Sequence, residues 1–202
     1  MSKEQQIIEV VAFFRNAFSL LFALALAEAF KQFVTDRPTA TDPVVRWEKL
    51  ITLLSFLLLI VPFYQGTVRY FVFTYGDPAA LLRQPNYSLF IMFDCGAFLF
   101  EAALFFIMSR ALAPAHWAAY YLAVVVLLLV DTVWAFTAVA WLHQTPIQPW
   151  MFLNLGFGIV VGAMLLWRAM FIPSAAVAIG FVAVLIRTLL DYYLTWDFYF
   201  PK

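Results

Sequence analysis

Charged residues are scarce in this chain: Asp, Glu, Lys and Arg make up 12% of its 202 residues, whereas a soluble domain averages about 25%. Hydrophobic residues make up 65% of the sequence, so too few polar side chains remain to cover a water-facing surface. This composition excludes an ordinary soluble protein and favours one whose exterior is solvated by lipid. Lysine plus arginine equals aspartate plus glutamate, at 12 each, so there is no basic surplus to bind the phosphates of a nucleic acid.

Histidine, cysteine and lysine are also scarce, and this argues against several kinds of membrane chemistry. The two histidines, His116 and His143, fall at opposite ends of one predicted helix, which argues against a zinc-dependent hydrolase or a haem protein. The single Cys95 can form neither an internal disulfide nor a thiolate cluster alone. The four lysines lie at predicted helix edges, so none is placed to carry retinal. We therefore expect no metal and no cofactor, and we assign no catalytic residue.

Apolar windows of about 20 residues, the length that a helix needs to cross a bilayer, recur six times. Breaks rich in proline separate them, and most tryptophans fall near the expected helix ends, where an indole ring meets the headgroups. The sequence predicts an all-α, polytopic transmembrane bundle of six helices with short loops, forming a single membrane domain over residues 1–202. The even number places both termini on one side, and we expect the bacterial inner (cytoplasmic) membrane. The predicted helices are about 7–34, 47–75, 87–112, 116–143, 150–172 and 174–198.

Several charged side chains fall inside these windows, where each costs at least about 2.5–3.5 kcal/mol on insertion scales. Counting from the helix centres places Glu101, Asp131 and Arg187 near the midplane. Asp94 is seven residues before Glu101, and Asp191 is four residues after Arg187, so each pair shares a helix face. The sequence predicts one polar column, formed by Arg15, Arg69, Asp94, Glu101, Asp131, Arg187 and Asp191.

This polar column has more than one interpretation. A functional column is a hydrated path for an ion or a proton, or a pocket for a polar headgroup. A structural column is a buried salt-bridge network that only sets helix register. A third interpretation is a lipid-modifying enzyme that uses Asp94, Glu101 and Asp131 as general acids and bases. That enzyme would require a headgroup-sized cavity reaching Asp94 from the N-terminal side.

Pro62 lies inside the second apolar window and predicts a kink beside the column. A proline removes a backbone donor and frees a carbonyl one turn earlier, and unwound backbone at membrane depth must face protein or a wet cavity. We therefore expect Tyr64, Gln65 and the adjacent Gly66 to line an inward-facing pocket, together with Trp134, which lies one turn after Asp131.

Small residues recur at helical spacing in the last two predicted helices. Gly158 and Gly162 form a GxxxG pair, and Ala176 with Gly180 forms a looser version. This spacing lets helix backbones approach closely in a membrane. We expect it to pack the fifth predicted helix against the sixth, or to form a subunit interface.

Two resemblances rest on short segments. Residues 15–19, 24–33, 62–66 and 69–70 are similar to a family of small uncharacterised bacterial membrane proteins, which implies no known activity. More distantly, Arg15 followed by Phe18 and Ser19, and residues 54–56, resemble bacterial relatives of the lysosomal potassium channel. In those channels helix 1 carries Arg-x-x-x-Phe-Ser-Asp and lines an hourglass pore. Here the interval is one residue shorter and Leu20 replaces the aspartate, so the resemblance implies an oligomeric conductor, but the potassium selectivity of those channels is not carried over.

The leading hypothesis is a homo-oligomeric integral membrane protein that conducts or transports a small ion, with helix 1 as the candidate pore lining. In that case Leu20, Phe22 and Leu24 would form an apolar constriction that gates by dewetting. The alternative is a noncatalytic membrane subunit, scaffold or assembly factor that docks a larger complex through its aromatic belt. The expected partners are membrane lipids, further copies of the chain and, in the alternative, a protein of that complex.

Overall fold

The computed structural model describes residues 2–35, 43–84, 86–142, 145–167 and 170–201. In these ranges the chain is all-α, with two short 3₁₀ turns and no strand, which confirms the predicted fold class. The α-helices are α1 (Lys3–Thr35), α2 (Pro43–Tyr75), α3 (Pro78–Leu81), α4 (Tyr87–Arg110), α5 (Trp117–Leu142), α6 (Gln148–Leu166), α7 (Pro173–Leu194) and α8 (Trp196–Tyr199).

Six of these helices, α1, α2, α4, α5, α6 and α7, are long and apolar enough to cross a membrane. The chain is therefore a multi-pass integral membrane protein. The last predicted helix is divided in the structure at Thr195, whose backbone N–H and hydroxyl both bond to the Asp191 carbonyl. This cap ends α7 and lets α8 turn back toward the bundle.

The bundle is apolar outside, and its buried polar side chains lie within a largely hydrophobic core. α1 packs on α4, α2 on α7, and α5 on α6. Large hydrophobic side chains such as Val133 and Ile159 point outward, where lipid solvates them. Charged side chains such as Asp94 and Arg187 are buried inside. The interior therefore has to satisfy its polar groups within the protein.

The small residues meet a different partner from the one predicted. Gly180 of α7 lies under the ring of Tyr121 of α5, so that a Cβ at this position would overlap the ring. Gly158 of α6 also faces α5, through Leu128, and a Cβ at Gly162 would have nothing within 4 Å. Ala176 is fully buried. Gly158 and Gly180 therefore pack against α5, so the prediction that they pack α6 on α7 was wrong. The alternative for this spacing, a subunit interface, stays a prediction.

Candidate functional site

Four buried polar side chains from α5, α6 and α7 form what we call the arginine cluster: Asp131, Asn154, Arg187 and Asp191. Arg187 donates from Nε and Nη2 to Asn154 Oδ1, at 3.0 and 2.8 Å. Its Nη1 donates to Asp191 Oδ2 at 2.7 Å. Asn154 Nδ2 donates in turn to Asp131 Oδ2. The guanidinium of Arg187 therefore bonds directly to the carboxyl group of Asp191 and is linked to that of Asp131 through the amide of Asn154.

Asp191 is the most heavily hydrogen-bonded member of the arginine cluster. Its Oδ1 accepts from Trp150 Nε1 at 2.7 Å and from Thr195 Oγ1 at 3.2 Å. Tyr199, on α8, places its hydroxyl 3.2 Å from both carboxyl oxygens. A Cβ at Gly66 would lie 3.3 Å from both Trp150 and Tyr199, so the glycine lets these two rings approach α2. The turn back at α8 thus completes the coordination of Asp191.

A second polar group surrounds Asp94, and we call it the Asp94 cage. Tyr70 and Tyr75 of α2 donate their hydroxyls to Asp94 Oδ2, at 2.9 and 2.5 Å. Trp134 of α5 donates Nε1–H to Oδ1 at 2.9 Å. Asp94 is only 1% exposed, and no cation lies within ion-pair distance of it in the described part of the chain. Three neutral donors therefore replace the water that a carboxylate would otherwise bind.

Glu101 lies on α4 two turns after Asp94 and differs from the other acids. Its side chain is fully buried, and neither carboxyl oxygen has a hydrogen-bond partner among the described residues. Its carboxyl group faces that of Asp131, and the charges that act on it are those of Asp131, Arg187 and Asp94. The two carboxyl groups are near enough to interact, although their geometry falls short of a formed hydrogen bond. Glu101, which has no hydrogen-bond partner among the described residues, therefore faces Asp131, which accepts a hydrogen bond from Asn154.

A narrow cavity lies between the two polar groups. Its volume is about 20 Å³, which is room for about one water molecule. Carboxyl groups of the arginine cluster and the indole of Trp134, which also bonds Asp94, form part of its wall. The cavity therefore connects the cluster with the cage. Its lining is Pro62, Phe63, Gly66, Thr67, Phe98, Asp131, Trp134, Trp150, Arg187, Asp191 and Tyr199.

The charge of this interior does not balance. Among the described residues, four carboxyl groups and one guanidinium lie in it, so full ionisation would leave a net charge of −3. Lys49, another buried cation of the described chain, lies near the end of α1, where it donates to the Gln32 carbonyl at 2.7 Å. Buried charge without compensation is strongly unfavourable. The interior therefore has the electrostatic character of a site for a cation or a proton.

Five of the seven residues predicted for the polar column lie in this interior, and two do not. Arg15 is exposed on α1, so its place in the column was wrong. Arg69 is half-buried and donates Nε–H to the Phe198 carbonyl at 3.3 Å, which ties α2 to the C-terminal segment instead. Counting along a helix gives the depth of a residue, but it does not give the direction in which the side chain points.

Only some of the residues predicted to line a pocket line the central cavity. Trp134 lines the cavity, whereas Tyr64 contacts the Ser19 hydroxyl at 3.2 Å and Gln65 accepts from Tyr192 at 3.0 Å. Tyr64 and Gln65 are therefore outside the central cavity, and the prediction that they line it was wrong. Pro62 and Gly66, one turn apart on the inner face of α2, line it instead.

The kink predicted at Pro62 is only partly found. α2 stays helical from Pro43 to Tyr75, so the expected unwinding is absent. The carbonyl that Pro62 frees, four residues earlier at Leu58, accepts a hydrogen bond from Thr188 Oγ1 at 2.8 Å. A hydroxyl from α7 thus replaces the missing backbone donor.

The predicted constriction does not form within one chain. Leu20 and Leu24 are 62% and 48% exposed on the outer face of α1, whereas Phe22 is buried against Phe105. Residues two apart on a helix point in nearly opposite directions, so Phe22 cannot share a face with either leucine. The prediction of a single constriction from these three side chains was therefore wrong.

Several side chains that form the site in the structure were not predicted from the sequence. Asn154 was detectable as an amide in the middle of an apolar helix, which needs a partner in lipid. Trp150, Tyr75 and Tyr199 have the positions of interfacial anchors in the sequence, yet each donates to a buried carboxyl group. An aromatic residue at a helix end gives no signal that distinguishes these two roles.

A comparison with models of protein families, with curated proteins and with solved structures found no match. The fold and the site therefore define the class: a six-span integral membrane protein with a buried acidic network around one arginine.

Proposed function

We propose that this protein transports a small cation across the membrane and that the arginine cluster with Glu101 is its binding site. The observation that carries the proposal is the charge balance of the interior, where four carboxyl groups face one guanidinium. A purely structural network is stable when its charges are paired. This one is short of positive charge, and a transported cation supplies it.

A groove gives the interior an approach from the N-terminal end of α1. It has a volume of about 260 Å³, and Arg15 and Tyr75 form part of its wall. Tyr75 donates to Asp94, so one side chain separates the groove from the Asp94 cage. Trp134 then links the cage to the central cavity. This sequence of contacts is a route along which a small ion passes when the aromatic side chains move.

The site is built from one chain, so the proposed transport does not depend on pore formation between subunits. The groove includes Tyr75 but not Asp94 in its wall, and a lipid headgroup in it would not touch the buried carboxyl group. We therefore propose transport rather than catalysis.

The test is ion flux into proteoliposomes of phosphatidylcholine and phosphatidylglycerol. Purified protein should pass at least one of H⁺, Na⁺ or K⁺ when each is the only gradient imposed. Asp131→Asn removes one negative charge from the site and should lower the rate at least tenfold, whereas Glu9→Gln removes a charge from the exposed face of α1 and should leave it unchanged. The absence of flux for all three cations in wild-type protein would overturn the proposal.

The competing function is a scaffold or assembly subunit of a membrane complex. The complete hydrogen bonding of Asp94 and Asp191 favours it, since paired buried acids fix helix positions. A scaffold predicts no flux, loss of folding in Asp131→Asn, and a stoichiometric protein partner after mild solubilisation of native membranes. Flux that Asp131→Asn reduces in folded protein decides for transport.

A further inference from the structure

We propose that the cation is the proton and that Glu101 and Asp131 hold it between their carboxyl groups. The transport of this proton rests on the proposed function, whereas the binding site itself rests on the geometry of the two acids. No other buried acid of the described interior has both of its oxygens without a partner.

Two buried carboxyl groups face each other at this site. Glu101 is fully buried, Asp131 is 6% exposed, and their charges act directly on each other. Two carboxylates at such a site repel each other strongly, and one proton between them removes the repulsion. The proton also gives the unpartnered Glu101 oxygens the hydrogen bond that they lack.

The side-chain oxygens at this site do not suit a metal ion. Monovalent and divalent metal ions replace their water with several oxygen ligands. The described residues contain no group of three or more His, Cys, Asp or Glu side chains arranged to hold a metal. The amide oxygen of Asn154 is already occupied by Arg187, and the cavity of about 20 Å³ holds one water rather than a hydrated ion.

The charges around the pair leave it with an excess of negative charge. Among the described residues that face the pair, Arg187 of α7 is the one cation, and Asn154 of α6 holds it close to Asp131 without a direct ion pair. Arg187 therefore offsets only part of the negative charge of Glu101 and Asp131, so the pair still favours the binding of a proton. The groups that face the pair are Asp94 on α4, Tyr70 and Tyr75 on α2 beyond it, Asn154 on α6, and Arg187 and Asp191 on α7.

The proton transfer is balanced without a further reactant. A hydronium ion in the central cavity gives its proton to Asp131, which lines the cavity and shares the proton with Glu101. One O–H bond of the donor breaks, one O–H bond forms on the carboxyl group, and a neutral water remains. Release on the other side is the reverse step, in which the carboxyl group gives the proton to water.

The test is infrared difference spectroscopy of the purified protein in nanodiscs between low and high pH. A protonated carboxylic acid has a C=O stretch that the carboxylate lacks and that shifts in D₂O. The wild-type protein should show such a band from a site slow to exchange with solvent. Glu101→Gln and Asp131→Asn should each abolish it, whereas Glu9→Gln, on the exposed face of α1, should retain it.

The outcomes separate this inference from the proposed function. A band that persists in both Glu101→Gln and Asp131→Asn overturns the proton site, even if the protein passes Na⁺ or K⁺. A band lost in both variants supports the site, even if wild-type protein passes no ion and the transport proposal fails. Each spectrum is accepted only when the size-exclusion profile and tryptophan fluorescence of the variant match those of the wild type. If one variant does not fold, the other decides by the same criterion.

Discussion

Substitutions of Asp94 test the Asp94 cage closely, because its three donors differ in whether they can also accept a hydrogen bond. A tyrosine hydroxyl can either donate or accept, whereas the indole N–H of Trp134 can only donate. In Asp94→Asn the amide oxygen can take the position of Oδ1 and accept from Trp134. The amide nitrogen then takes the position of Oδ2 and donates to Tyr70 and Tyr75, whose hydroxyls reverse their role. All three contacts survive as hydrogen bonds, although the charge is lost and the two hydroxyl hydrogens lose their acceptor.

Asp94→Leu keeps the branched shape of the side chain, with larger terminal groups, but removes the acceptor from all three donors. A buried donor without a partner costs about 1–3 kcal/mol, so the three together should cost at least about 3 kcal/mol. For a chain of this size 1 kcal/mol corresponds to about 2–4 °C in Tm. We therefore expect Asp94→Leu to melt roughly 6–12 °C below wild type, and Asp94→Asn, which keeps the three contacts, to melt between Asp94→Leu and wild type.

The measurement is scanning fluorimetry of the three proteins in one detergent, and the tryptophan emission reports on the cage because Trp134 is part of it. Equal melting temperatures for wild type and Asp94→Leu would refute the cage as a set of buried donors. If Asp94→Asn falls as far as Asp94→Leu, the negative charge rather than the hydrogen bonding stabilises the cage, and the reversal of the hydroxyls is refuted.

Two further predictions concern helix packing. Gly180→Ala presses a methyl group against the buried ring of Tyr121 and should destabilise the protein by about 1–3 kcal/mol. Gly162→Ala has open space and should be neutral or stabilising by up to about 1 kcal/mol. Equal shifts in melting temperature for the two variants would contradict this packing. Thr188→Val removes the donor to the carbonyl that Pro62 frees and should cost about 1 kcal/mol. The cost should shrink in a Pro62→Ala background, where a backbone donor returns, and an unchanged cost in that double-mutant cycle would count against the compensation.

The fold was predictable because apolar length is a strong signal in a membrane protein. Six windows of spanning length are visible without any knowledge of packing, and the breaks between them contain prolines. The depth of the charged residues was also predictable, since it needs only the distance from a helix centre. Glu101, Asp131 and Arg187, predicted near the midplane, do meet in the interior.

The orientation of each helix about its own axis was not predictable, and this accounts for the errors. Arg15 has a suitable depth but points outward, and Leu20 and Phe22 point to opposite sides of α1. Spans that are apolar on nearly every face carry little periodic signal for the inner face. Asn154 was recognisable as a polar residue in lipid, but its role between Asp131 and Arg187 depends on three helices at once.

The central claim is that the acids of the interior take up a proton that crosses the membrane. The most direct measurement is proton uptake by proteoliposomes under a potassium diffusion potential set with valinomycin, followed with an internal pH-sensitive dye. The account predicts acidification of the lumen with wild-type protein and none with the double variant Glu101→Gln, Asp131→Asn in folded form. No acidification with wild-type protein, or equal acidification with the double variant, would contradict it.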